Sequence, residues 1–169
     1  MELQTENPDA CIVDYGHVPR YNSGEDHRAE GAGVDEIWDL LVSYGADLYL
    51  AGHEHGYERF AKEDDDDSEN DAVDDADGMR QVVVGSGGRN HAAEYGTNST
   101  EPEVLDNSQA VDAEWQDVSG TMKWKAATHG VLELTLHPDS YDLEFVPDTS
   151  SGFEGAQFTD GLTGVEGNE

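Results

Sequence analysis

Two short apolar runs, at residues 10–15 and 47–51, flank one amphipathic segment at 34–44. Within that segment Ile37, Leu40, Leu41 and Tyr44 recur at i, i+3, i+4 and i+7, the spacing of a single helical face, and Gly45 supplies a stop. Strand, polar loop, helix and strand in that order predict an α/β layer in which the two strands run side by side. Residues 79–84 read as another strand, entering a Gly-rich turn at 85–88. Residues 128–136 and 140–146 alternate apolar and polar about His137-Pro138-Asp139 and predict a hairpin. Residues 90–122 are polar, with few large apolar side chains besides Trp115, and read as a long loop. The stretch beyond Asp148 is Gly-rich, and a disordered tail is expected over 161–169.

The chain has 169 residues, enough for one domain with a core. Its 39 acidic residues against 8 basic ones give a formal net charge of -31. That field repels nucleic acid and anionic membrane surfaces, so neither is expected as a general partner. Such a charge fits either disorder or a fold that works in concentrated salt, where screening shortens to a few Å. The apolar segments favour the second, and a halophilic source is expected. Cys11 is the only cysteine, which rules out an internal disulfide and a thiolate metal cluster. No run approaches the ~20 apolar residues of a membrane span. Glu2, Glu6 and Asp9 stand where a signal peptide would be basic and then apolar; translated as given, the chain is expected in the cytoplasm.

Two segments were candidates for other chemistry. Residues 62–78 hold the run of four aspartates at 64–67, but the acids lack the spacing of a calcium loop, so a solvated insertion is expected. The turn at 85–88 is not followed by Gly-Lys-Ser/Thr and is therefore no P-loop; its glycines suit a close approach of backbone to something else.

Position separates the seven histidines. His53 and His55 follow directly on the strand 47–51, and His17 follows the strand 10–15. In open α/β sheets the loops at the carboxyl ends of strands are where ligands bind. Two parallel strands would thus present three imidazoles at one edge. Histidines at i and i+2 can address two metals, or one metal and its substrate; they can also be unrelated loop residues. An isolated H-x-H is a weak signal, and a third histidine after a second strand strengthens it.

The flanking residues carry a resemblance. Gly52-His53-Glu54-His55-Gly56-Tyr57-Glu58-Arg59 resembles the G-H-x-H-x-Y-E-R segment of purple acid phosphatases and their bacterial relatives, within the calcineurin-like metallophosphoesterases. Tyr15-Gly16-His17-Val18-Pro19-Arg20-Tyr21-Asn22-Ser23-Gly24 resembles an upstream block of that family. Residues 81–88 (QVVVGSGG) and 130–147 (GVLELTLHPDSYDLEFVP) resemble its closing strands. The resemblance implies that residues 1–160 are the C-terminal half of a four-layer α/β/β/α sandwich ending in antiparallel strands. It implies that His17 and His53 bind one metal, that His55 binds the other, and that His27 contacts the phosphate or protonates the leaving alkoxide. An exposed loop histidine is the alternative for His27. His91, His129 and His137 match no ligand position and are expected to be structural.

The implied activity is hydrolysis of a phosphoester with two metal ions, Fe, Zn or Mn. The departures from the family pattern are as informative. The family's D-x-H, G-D-x-x-x-D and G-N-H-E/D motifs, which supply its bridging aspartate and asparagine ligand, do not occur in this sequence. A two-metal site holds its ions ~3.5–4 Å apart and stabilises both attacking and leaving oxygens. Three neutral imidazoles neither offset two dications nor fix that separation. Two readings follow. In one, the chain is part of a phosphatase whose other ligands lie in a missing N-terminal half, and alone it is inactive. In the other it is a non-catalytic remnant acting at most as a metal-binding or interaction module.

Overall fold

A computed structural model describes residues 10–21, 33–63, 78–88, 122–126, 129–148 and 160–166. The parallel arrangement read from the sequence is present. Strand β1 (Val13–Tyr15) leads to helix α1 (Asp35–Ser43) and then to β2 (Leu48–Ala51), which pairs parallel to β1. β4 (Met79–Val84) adds parallel to β2 on its other side. β3 (Tyr57–Glu63) runs antiparallel to β4, and β5 (Met122–Ala126) antiparallel to β3. The sheet order is therefore β1-β2-β4-β3-β5, with β4 between two strands that are consecutive in the chain. A second, antiparallel sheet holds β6 (Gly130–Leu136), β7 (Ser140–Pro147) and β8 (Asp160–Glu166) in that order.

Alternation along the central strands divides the core in two. Tyr49 and Ala51 of β2, Met79 and Val83 of β4 and Phe60 of β3 face α1 and pack with Trp38, Val34 and Tyr21. Leu48, Val82 and Tyr57 face the other way, onto Tyr141, Leu143 and Phe145 of β7. Tyr57 and Phe145 lie 4.4 Å apart between ring centroids. The described layers are thus helix, mixed sheet and antiparallel sheet, three of the four expected.

The helix ends as its glycine implies. Gly45 has φ +66°, donates to Val42 O, and is followed by Ala46 N donating to Leu41 O, which is a Schellman closure. Its buried face is not the expected one. Ile37 and Leu40 are 52% and 53% exposed and Tyr44 is 40% exposed, whereas Trp38 is 1% exposed. Val34, Trp38, Leu41 and Val42 form the inward stripe, an equally regular i, i+4, i+7, i+8 set turned round the axis. The indole decides between the two, because it removes the largest apolar area from water and meets Tyr21 edge to face at 5.1 Å.

Three other expectations are corrected. β8 occupies 160–166, where a tail disordered from 161 was expected; its Leu162 and Val165 pack into the inter-sheet core against β7. β3 runs to Glu63 and so takes in the first residues of the acidic stretch; 64–77 lie outside the described residues. β5 begins at Met122, where the long polar loop was expected to end. Among the described residues no helix is long and apolar enough to cross a membrane.

Candidate functional site

β1 and β2 are each followed by a glycine and then a histidine, and the parallel ladder carries both turns to one edge. Gly16 N donates to Leu50 O at 2.9 Å, which extends the pairing past Tyr15, and Gly52 N donates to His17 O at 3.1 Å. The two loops are thereby tied together at the residues that bear the imidazoles. His17 Nε2 and His53 Nδ1 stand 3.0 Å apart, with ring centroids 4.8 Å apart and planes at 78°. His53 takes φ +65°, the left-handed region that a non-glycine residue occupies at some cost and that clusters at functional loops. Two short contacts fix that turn: Glu54 N donates to Gly52 O at 2.7 Å and Gly56 N to Glu54 O at 2.9 Å.

The sheet order explains the shape of the histidine loop. β2 and β3 are not neighbours, so residues 52–56 pass over the carboxyl end of β4 before returning as β3. Gly85 lies directly beneath. A Cβ there would overlap the Glu54 carbonyl oxygen and come within 2.7 Å of its carbon, and Gly85 N donates to Gly56 O at 3.0 Å. The close approach expected of the Gly-rich turn is to the histidine loop itself. Glu54 is fully buried, although it stands between two histidines of an open loop.

The loop after His17 is held from below by two side chains. Tyr49 and Gln81 are partners in the register of β2 and β4 and share a face. Tyr49 Oη donates to Val18 O at 3.0 Å. Burial, with Asp14 adding to it, pushes that phenol's pKa up and keeps it a donor. Gln81, fully buried, accepts from Arg20 N at 2.7 Å and Tyr21 N at 3.1 Å, and donates to Tyr21 O at 2.6 Å. Arg20 reaches Asp35 at the start of α1, with Nε 3.0 Å from Oδ1. None of these residues stood out in the reading of the sequence. One signal was available: a glutamine inside the run Met79–Val84 is a polar group in a strand covered on both faces, and such a group needs a buried partner.

Of the expected site residues, His17 and His53 are brought together. His55 is half-buried two positions on, and among the described residues no group of three or more His, Cys, Asp or Glu side chains is placed to hold a metal ion. His27 and His91 lie outside the described residues. His129 joins the Ser86 carbonyl at 3.2 Å beside the start of β6, and His137 Nε2 pairs with Asp142 Oδ2 at 2.9 Å across the β6–β7 hairpin.

No protein-family model matches the sequence. It is 32% identical over 108 residues to purple acid phosphatase 18 of Arabidopsis thaliana, covering 62% of this chain and 23% of that protein. It is 41% identical over 54 residues to probable purple acid phosphatase 20 of the same plant, covering 30% of this chain and 13% of that protein. Its fold is similar to the structure of purple acid phosphatase PPD1 from yellow lupin (Lupinus luteus) seeds, with TM-score 0.60 and 20% identity over 94% of this chain and 25% of that one. The chain thus spans between 13% and 25% of the length of these three proteins. The likeness in sequence and in fold supports a calcineurin-like metallophosphoesterase. Within that class it is purple acid phosphatases that the chain resembles, over part of those proteins' length.

Proposed function

We propose that this chain supplies the histidine share of a two-metal site that hydrolyses phosphoesters. The observation that carries the reading is the approach of His17 Nε2 to His53 Nδ1, 3.0 Å apart, from the ends of adjacent parallel strands. As neutral rings the two can share one proton; with both lone pairs turned to the same point they suit one borderline-soft cation, so the donor set fits a metal. In this reading His17 and His53 hold one ion and His55 the second, of Fe, Zn or Mn type. Bound there, the metals would activate water and offset charge on the phosphoryl oxygens. His27 would contact the phosphate or return a proton to the leaving oxygen. The carboxylates that balance two dications come from outside this sequence, and β1, at the edge of its sheet, is where further strands would add. The acidic surface fits work in concentrated salt.

A second reading has an observation of its own. The contact of His17 with His53 by itself suits a module that binds one metal without turnover.

The test is hydrolysis of an aryl phosphate with Zn or Mn. The chain alone is expected to be inactive. Co-expression with a segment carrying the G-D and G-N-H motifs is expected to give turnover, and His53→Ala to abolish most of it. Robust turnover by the chain alone would overturn the ligand account; no turnover after complementation favours the non-catalytic module.

A further inference from the structure

The geometry points to Gln81 as the positioning residue for the His17 imidazole, acting through the backbone of residues 18–21. This inference rests on the metal-site reading for its purpose, but not for its geometry. His17 itself is exposed, so contacts of its own ring with the core do not set its direction. Its backbone sets it instead. On the upstream side Gly16 is fixed by the parallel ladder to Leu50. On the downstream side the chain turns away through Val18, Pro19 and Arg20, where side chains stand in for a strand partner.

The Gln81 carboxamide takes the place of that partner. It accepts two N–H groups, from Arg20 and Tyr21, and returns a donor to Tyr21 O, so one side chain satisfies three backbone groups in a region sealed from water. The neighbouring Tyr49 hydroxyl fixes the Val18 carbonyl, one residue from His17. Tyr21 is then clamped between Trp38, 5.1 Å away, and Phe60, 6.0 Å away. Only a neutral amide meets all three demands. A glutamate would set a carboxylate oxygen against the Tyr21 carbonyl, and a leucine would leave two N–H groups and a carbonyl buried without these bonds. Groups that orient metal ligands from behind commonly cost about 10–100-fold in metal affinity when lost.

The experiment uses the whole chain in high salt and reads two signals. One is the nuclear Overhauser contact between the His17 and His53 rings; the other is Zn²⁺ affinity by calorimetry. In Gln81→Leu and Gln81→Glu the ring contact is expected to vanish and Zn²⁺ binding to weaken about tenfold or more. Leu143→Val, in the inter-sheet core, is expected to change neither signal. A folded Gln81 variant that keeps the ring contact overturns the inference. If both Gln81 variants unfold, Tyr49→Phe, which removes only the hydroxyl, decides: a weakened ring contact supports the backbone route, and an unchanged one overturns it. Loss of the ring contact in the Gln81 variants, beside a wild type that keeps the contact but never binds Zn²⁺, would sink the metal reading and leave Gln81 in its positioning role.

Discussion

Gly85 lies flat against the Glu54 peptide, so close that no side chain fits between the end of β4 and the loop that carries His53 and His55. Gly85→Ala is therefore expected to push that loop off the sheet. Overpacking of this kind costs about 1–3 kcal/mol. Gly87 is the control, because a Cβ there meets nothing within 4 Å, and its alanine variant is expected within about 0.5 kcal/mol of wild type. Chemical denaturation at one fixed salt concentration measures both; equal stabilities would show that the loop yields at no cost.

Helix α1 gives a sharper contrast. Trp38→Ala should lose about 3–5 kcal/mol, since it empties the centre of the helix-side core. Ile37→Ala, one position earlier and half exposed, should change stability by less than about 0.5 kcal/mol. A larger loss at Ile37 than at Trp38 would mean that the helix docks by its other face.

How far the sequence could be read depended on how singular each pattern was. β1, β2, β4 and the β6–β7 hairpin each had one periodicity, and each is present. The helix had two overlapping stripes, and a count of apolar residues did not weigh one indole against an isoleucine and a leucine. β3 escaped notice because Glu58 and Arg59, both buried, break the alternation of an ordinary strand. β8 escaped because its glycines mask the pairing with β7. At the candidate site the histidines were legible as chemistry, whereas Gln81, Tyr49 and Gly85 act through backbone and leave only faint marks in the sequence.

The net charge is expected to make the fold salt-dependent. A charge of -31 is unscreened at roughly 0.01 M salt, where the Debye length is ~30 Å, and screened to ~3 Å near 1 M. Circular dichroism is expected to show folding gained between those limits. A spectrum constant from low to molar salt would contradict the salt-adapted reading.

The hairpin hydrogen bond between His137 and Asp142 predicts a pH response. The hydrogen bond from His137, with one from Gly164 N, holds the Asp142 carboxyl below the ordinary aspartate value. A lowered folded-state pKa stabilises above the unfolded value, and that contribution disappears as pH falls through the folded one. The tie between hairpin and β8 should thus loosen only in acid. In His137→Ala the Asp142 titration, followed by NMR, is expected to move back up towards the ordinary value; an unmoved midpoint would assign the effect to Gly164.

The position of β4 between β2 and β3 also has a kinetic consequence. The histidine loop arches over a strand that the chain supplies later, so the early residues cannot seat it by themselves. Closing that arch requires the sequence-distant β4 to insert first, an entropy cost that local pairing does not carry. In pulsed hydrogen exchange during refolding, the Gly85 amide, bonded to Gly56 O, should gain protection no sooner than the amides of β4 itself. The imidazoles would then come together only after the sheet that carries them is complete, and a nascent chain that has not yet delivered Gly85 would have no formed site with which to capture a metal.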